Sequence, residues 1–196
     1  MSMLLFNKPL SWINEPSSFR IEENVIEIEA GAHTDLFSDP AGEPIFKNSP
    51  LLLFQADEHF QFSARLSADL KSKFDAAALV VYANESCWAK LCFELSPEHK
   101  PTLVTVVTNQ GASDDCNHNV IDKERVHLRI SGLGNGVFAF HIEEEERWSL
   151  VRYFSLDHDR FRIGFSSQSP VGQSCISWFR DPLYSAEKLN GLRTGE

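Results

Sequence analysis

A chain of 196 residues with 42% hydrophobic content is the size of one compact domain built on a single core. Its net charge of −10 argues against nucleic acid or an anionic membrane as partner, since the dominant attraction there pairs basic side chains with phosphate. The longest low-polarity stretch, Ala76 to Ala83, is far short of the roughly 20 residues a spanning helix needs.

At the start, Leu4, Leu5 and Phe6 stand together before Asn7 and Lys8, too short an apolar run for a secretory signal. A soluble cytoplasmic protein is expected. From there period-two alternation recurs and long amphipathic helical patterns do not. The predicted strands, in chain order, are 25–30, 60–66, 77–82, 87–95, 102–108, 126–130, 137–142, 148–154, 161–165 and 175–179. Turn chemistry separates them: DPAGEP at 39–44, SPEHKP at 96–101, GLGNG at 132–136 and SPVG at 169–172. Short helices are expected at 68–73 and, capped by Ser185, at 186–190. Strands with polar turns and no strand-helix alternation predict an all-β antiparallel sandwich over 1–196.

Within NESCWAKLCFE at 84–94, Cys87, Ala89, Leu91 and Phe93 fall on one face, and Trp88, Lys90 and Glu94 on the other. The first is a core face. On the second, the choice is between a loop or second layer packed over the indole and an open surface where Trp88 stacks on a sugar ring while Lys90 and Glu94 fix its hydroxyls. Cys87 and Cys92 point to opposite faces and cannot pair on one strand, so all four cysteines read as reduced thiols.

WINEP at 12–16, AGAHTDLF at 30–37, FDAAALVVYANESCWAKLCFE at 74–94, TVVTN at 105–109, SLVRYF at 149–154 and IGFSSQSPVGQSC at 163–175 resemble the regulation-of-enolase protein family. That family is of unestablished chemistry, and its members are similar to concanavalin A-type jelly-roll sandwiches. The resemblance implies ligand-lining roles for Thr34, Asp35, Trp88, Lys90, Glu94, Asn109 and Asp114. Asp114 lacks the tryptophan that often follows the family's Ser-Asp pair. For Asp35 a turn cap is an equal reading.

Catalytic signals are weak. Glu27 and Glu29 share a face, but Gly31 follows at the next alternate position, and Glu143 to Glu146 sit where a hairpin turn is expected. GFSSQ at 164–168 lacks the second glycine of a nucleophile elbow. Neither Cys116-Asn117-His118 nor Asp157-His158-Asp159 has the spacing of a zinc site or an EF-hand loop, so no metal or cofactor is expected. Arg65, Arg129 and Arg152, on outward strand positions, read as surface charges. The expected function is non-catalytic binding of a carbohydrate or other small polar metabolite. The alternatives are docking to a metabolic enzyme such as enolase, through an apolar patch, and glycoside hydrolysis, which needs a second carboxylate near Glu94.

Overall fold

The computed structural model describes residues 3–196. Two seven-stranded antiparallel sheets carry the chain. The first runs β13 (Ala112–Val120), β12 (Pro101–Asn109), β11 (Cys87–Leu95), β10 (Ala76–Asn84), β17 (Arg162–Gln168), β8 (Leu51–Gln55), β3 (Ser11–Ile13). The second runs β16 (Arg147–Ser155), β15 (Val137–Glu144), β14 (Val126–Leu133), β9 (His59–Ala68), β18 (Ser174–Ser185), β5 (Val25–Gly31), β4 (Phe19–Glu22). Two small hairpins complete the fold, β1 (Leu4–Leu5) with β2 (Lys8–Pro9) and β6 (Leu36–Ser38) with β7 (Ile45–Lys47).

All ten predicted strands are present. The sequence reading missed eight strands: the short β1–β4, β6 and β7, the continuous LLLFQ run of β8, and β13, whose ASDDCNHNV has no apolar alternation because it pairs along one side only, at a sheet edge. Neither predicted helix forms. Residues 186–190 carry no regular structure, and the turn after Ala68 is instead closed by the buried Asp75, whose carboxylate accepts from the Lys71 and Ser72 amides at 3.1 and 2.8 Å. Among the described residues no helix is long and apolar enough to cross a membrane.

The main core lies between the sheets and includes Leu52, Phe62, Leu79, Ala89, Leu91, Phe93, Phe165 and Phe179. A second, smaller cluster lies on the far side of the first sheet: Leu36, Leu51, Leu53, Val80, Tyr82, Trp88, Cys92, Val104 and Val106, with Phe37 packed against it. The β6–β7 hairpin covers this cluster, which is why every residue of β11 is buried on both faces. All four cysteines are free, with Cys87 in the main core and Cys92 in the outer cluster. The acidic run closes the β15–β16 hairpin as expected, with Glu145 and Glu146 at positive φ. Glu143 accepts from His127 at 2.9 Å.

Candidate functional site

Strand register lays out the far face of the first sheet row by row, since residues directly opposite share a face. One row reads Arg162, Tyr82, Trp88, Thr108, Ser113 and the next Gly164, Val80, Lys90, Val106, Asp115. Then come Ser166, Ala78, Cys92, Val104, Asn117, and finally Gln168, Ala76, Glu94, Thr102, Val120. Gly164 is required in its row, because a Cβ there would come within 1.9 Å of the Leu52 carbonyl oxygen on β8.

The hairpin roofs the Trp88 end. Trp88 is 0% exposed, so the indole is a packing element beneath Leu36 and Phe37 and not the open stacking platform of the second sequence reading. The second layer was the correct alternative: polar DPAGEP links two three-residue strands, the first of which turns Leu36 and Phe37 onto the cluster. The indole N–H has no hydrogen-bond partner among the described residues.

At the other end, small residues form the floor. Lys90 runs along the face past Ala78 and Cys92, and its ammonium reaches Gln168 Oε1 at 2.8 Å and Asp35 Oδ1 at 3.1 Å. Gln168 belongs to the row of Glu94, so this contact is a diagonal between rows. Asp35 is placed there by the Thr34–Ser169 bridge and by its carbonyl, which accepts from the Asn48 and Ser49 amides. Thr34 serves this anchor, donating to Gly31 O at 2.7 Å and accepting from Ser169 N at 3.1 Å. Asp35 Oδ1 also caps the Leu36 amide at 2.7 Å, so the turn-cap role and the charge-pairing role coexist. Gln168 is held by its amide donating to Phe74 O at 2.9 Å.

Glu94 is the anomaly. It is 7% exposed, and its carboxyl has no hydrogen-bond or ion-pair partner among the described residues. Burial pushes its pKa up to about 8; the Lys90 charge opposes this, while Asp35 and Asp115 reinforce it. Burial would lower the Lys90 pKa, but Asp35, bonded to the ammonium at 3.1 Å, acts against it and the net shift is upward, so lysine stays charged. At neutral pH the cluster is a lysinium, paired with Asp35, and a mostly neutral Glu94. Lysine has three donors, of which two are used; Asp35 Oδ2 and both Glu94 oxygens are unclaimed. The set can therefore both donate and accept.

The remaining predicted residues lie elsewhere. Asn109 sits at the other end of the sandwich, donating to Ser155 O at 3.1 Å and accepting from Asp157 N at 3.2 Å. Asp114 faces the sheet edge, paired with Arg152 at 3.0 Å, while its neighbour Asp115 falls in the Lys90 row. The Arg152 guanidinium also donates to Thr105 Oγ1 at 3.1 Å, so it ties an edge together and is no simple surface charge. Arg129 departs further: it is buried, stacked on Trp148 with 4.2 Å to the ring centroid, and donates to Gly195 O. Gln168 and Asp115 were missed by sequence reasoning. Parity along 162–168 and 112–120 was the available signal, but β13 had not been recognised as a strand.

Comparison with known proteins agrees with this architecture. Residues 12–185 match the family described as Protein of unknown function (DUF1349). No curated protein matches the chain. Among solved structures, a functionally unknown protein from Saccharomyces cerevisiae is 22% identical with a TM-score of 0.81, over 91% of this chain and 96% of that one. A legume lectin-like domain from Entamoeba histolytica is 14% identical with a TM-score of 0.59, over 91% and 90%. The GH43 protein BlXynB (K247S mutant) from Bacillus licheniformis is 14% identical with a TM-score of 0.67, over 95% of this chain but 38% of that one. These likenesses concern the fold. None of them bears on enolase.

Proposed function

We infer, from the premise that the chain belongs to the family of unknown function matched over residues 12–185, that it is a recognition module. In this reading it binds a small hydroxylated ligand of the carbohydrate class beside Lys90 and Glu94. The observation that carries the reading is the mostly buried Glu94, whose carboxyl keeps a narrow opening to solvent and has no protein partner among the described residues, next to a lysine with a spare donor. A carboxyl that is mostly shut off from water yet still reachable from outside is where a ligand group can replace the few remaining solvent contacts. A ligand hydroxyl, which donates and accepts at once, satisfies that carboxyl. A lectin-like neighbour in fold supports the same reading.

Calorimetric titration with a panel of monosaccharides, disaccharides and linear polyols at pH 7 tests it. Glu94→Gln, which keeps a donor and an acceptor, is expected to retain binding to the hits. Glu94→Leu, which preserves packing, is expected to weaken them by about tenfold or more. A folded Glu94→Leu protein that binds every hit as tightly as wild type would exclude the site, as would a panel without hits.

A further inference from the structure

We propose that the outer face of the second sheet carries a binding site for a small hydroxy acid, built on Arg129, His141 and Ser131 and closed in this structure by the chain's own segment 189–196. Arg129 of β14 lies directly opposite His141 of β15, while Leu128, Ile130, Phe140 and Ile142 at the alternate positions belong to the main core. The two polar side chains therefore share the face turned away from that core. Ser131, the next alternate residue of β14, shares it too and is fully buried.

A buried cation without a counter-ion carries the inference. Arg129 is 6% exposed and has no ion pair among the described residues, since Glu143, an acid of the same face, is engaged by His127 at 2.9 Å and Arg65 at 3.5 Å. Burial lowers the Arg129 pKa to about 10, which leaves the guanidinium charged at neutral pH. A row with only a structural task would be better served by apolar side chains, because an uncompensated buried charge is destabilising. Trp148 holds the guanidinium flat, 4.2 Å from the ring centroid. Nη2 donates to Gly195 O at 2.6 Å, but Nε on the same edge is buried with no partner. One carbonyl thus fills half of an edge suited to two oxygens, and a carboxylate takes both.

The neighbouring groups call for a hydroxyl. His141 donates from Nε2 to Leu192 O at 2.8 Å, and burial lowers its pKa to about 4, so at neutral pH its Nδ1 is an acceptor; that atom is also buried with no partner. The Ser131 hydroxyl is a third such group. A carboxylate has no proton to offer Nδ1, whereas a hydroxyl has one and can also pair with Ser131. One permanent charge beside a neutral imidazole favours a monoanion over a phosphate dianion, whose second charge would stay uncompensated.

The cover is separable from the sheet. Segment 189–196 adds no strand, and its backbone hydrogen bonds, from Asn190 N and Gly191 N to Glu196 O and from Gly195 N to Gly191 O, stay within the segment. Among the described residues its only hydrogen bonds to the sheet are those from Arg129 and His141. Lifting it breaks no strand pairing. Gly195 is what lets it close so tightly: its φ is +70°, and a Cβ there would stand 2.3 Å from Trp148 Cβ and 2.4 Å from Arg129 Nη2.

The test is amide NMR on the full chain carrying Gly195→Val, which lifts the segment and leaves the sandwich folded, with wild type titrated alongside. Lactate, acetate and phosphate are each added to about 20 mM at constant ionic strength, a range that reveals millimolar affinity. Lactate is expected to shift the Ser131, His141 and Trp148 amides, acetate to bind at least about threefold more weakly for want of the hydroxyl, and phosphate to leave them still. Wild type, in which the segment competes, is expected to need at least about fivefold more lactate. Adding Arg129→Met, an apolar replacement of the kind that buried charges tolerate, should abolish the shifts. Arg129→Lys, which keeps the charge without the fork, should weaken binding at least about fivefold. No lactate shifts, lactate binding that survives Arg129→Met or is unweakened by Arg129→Lys, tighter binding of phosphate, or equal affinity for acetate would each overturn the proposal. Equal lactate affinity in wild type and Gly195→Val would do the same. Shifts confined to the Lys90 and Glu94 neighbourhood would overturn this site and leave the first intact.

Discussion

At pH 9, Glu94→Gln is expected to be more stable than wild type, although at pH 5 the two should melt together. In the folded protein the carboxyl keeps its proton to about pH 8, against an ordinary value of 4.5. Between those values the folded state binds more protons than the unfolded one, so wild-type stability falls as pH rises through the window. At about 1.36 kcal/mol per pH unit the full effect is up to about 5 kcal/mol, reduced by whatever relaxation admits water to the ionised form. Glutamine carries no proton to lose and removes that slope. Histidines buried elsewhere titrate identically in both proteins, so the difference between the two urea-denaturation profiles isolates Glu94. Parallel profiles from pH 5 to pH 9 would show that the carboxyl ionises normally.

Trp88→Ala is the second large effect. The ring is fully enclosed in the cluster shared by Leu36, Tyr82, Val106 and Phe37, and truncating such a side chain costs roughly 3–5 kcal/mol in lost transfer energy and cavity formation. Much of that loss falls on the roof, because the β6–β7 hairpin is held down chiefly by this cluster and by contacts such as Ser38 N to Ser113 Oγ at 3.0 Å. Faster hydrogen exchange across 36–47 should accompany the drop. Trp88→Phe should cost appreciably less, since it removes an indole N–H that already has no partner. If instead the alanine variant matched wild type in stability, the enclosed ring would not be carrying the outer cluster.

The architecture was legible because period-two alternation reports directly on a sheet with one dry face. Cys87, Ala89, Leu91 and Phe93 were read correctly as the inward side of β11 for that reason. The same alternation gives the parity of Trp88, Lys90 and Glu94 but is silent about what lies above them. The roof comes from a hairpin some fifty residues earlier in the chain, with strands of three residues each. Nor does parity survive where a strand is not recognised. Asp114 and Asp115 are adjacent, and only the pairing of Val106 with Asp115 decides which of them faces Lys90. Gln168 illustrates a different limit: its contact with Lys90 spans 78 positions and two rows of the sheet, a diagonal that no local pattern encodes. Asp35 and Lys90, two of the residues singled out together, are paired at 3.1 Å, while Thr34 bonds Gly31 and Ser169 in the turn that places Asp35.

The neutrality of Glu94 underlies both its stability effect and its suitability for a ligand hydroxyl. Carbon-detected NMR of the Glu94 carboxyl, followed from pH 3 to pH 10, measures it without any substitution. A midpoint near 8 is expected, moving higher when a hydroxylated ligand occupies the site. A midpoint near the ordinary 4.5 would contradict the account, because the carboxyl would then ionise as freely as an exposed one and its burial would carry no consequence for a ligand.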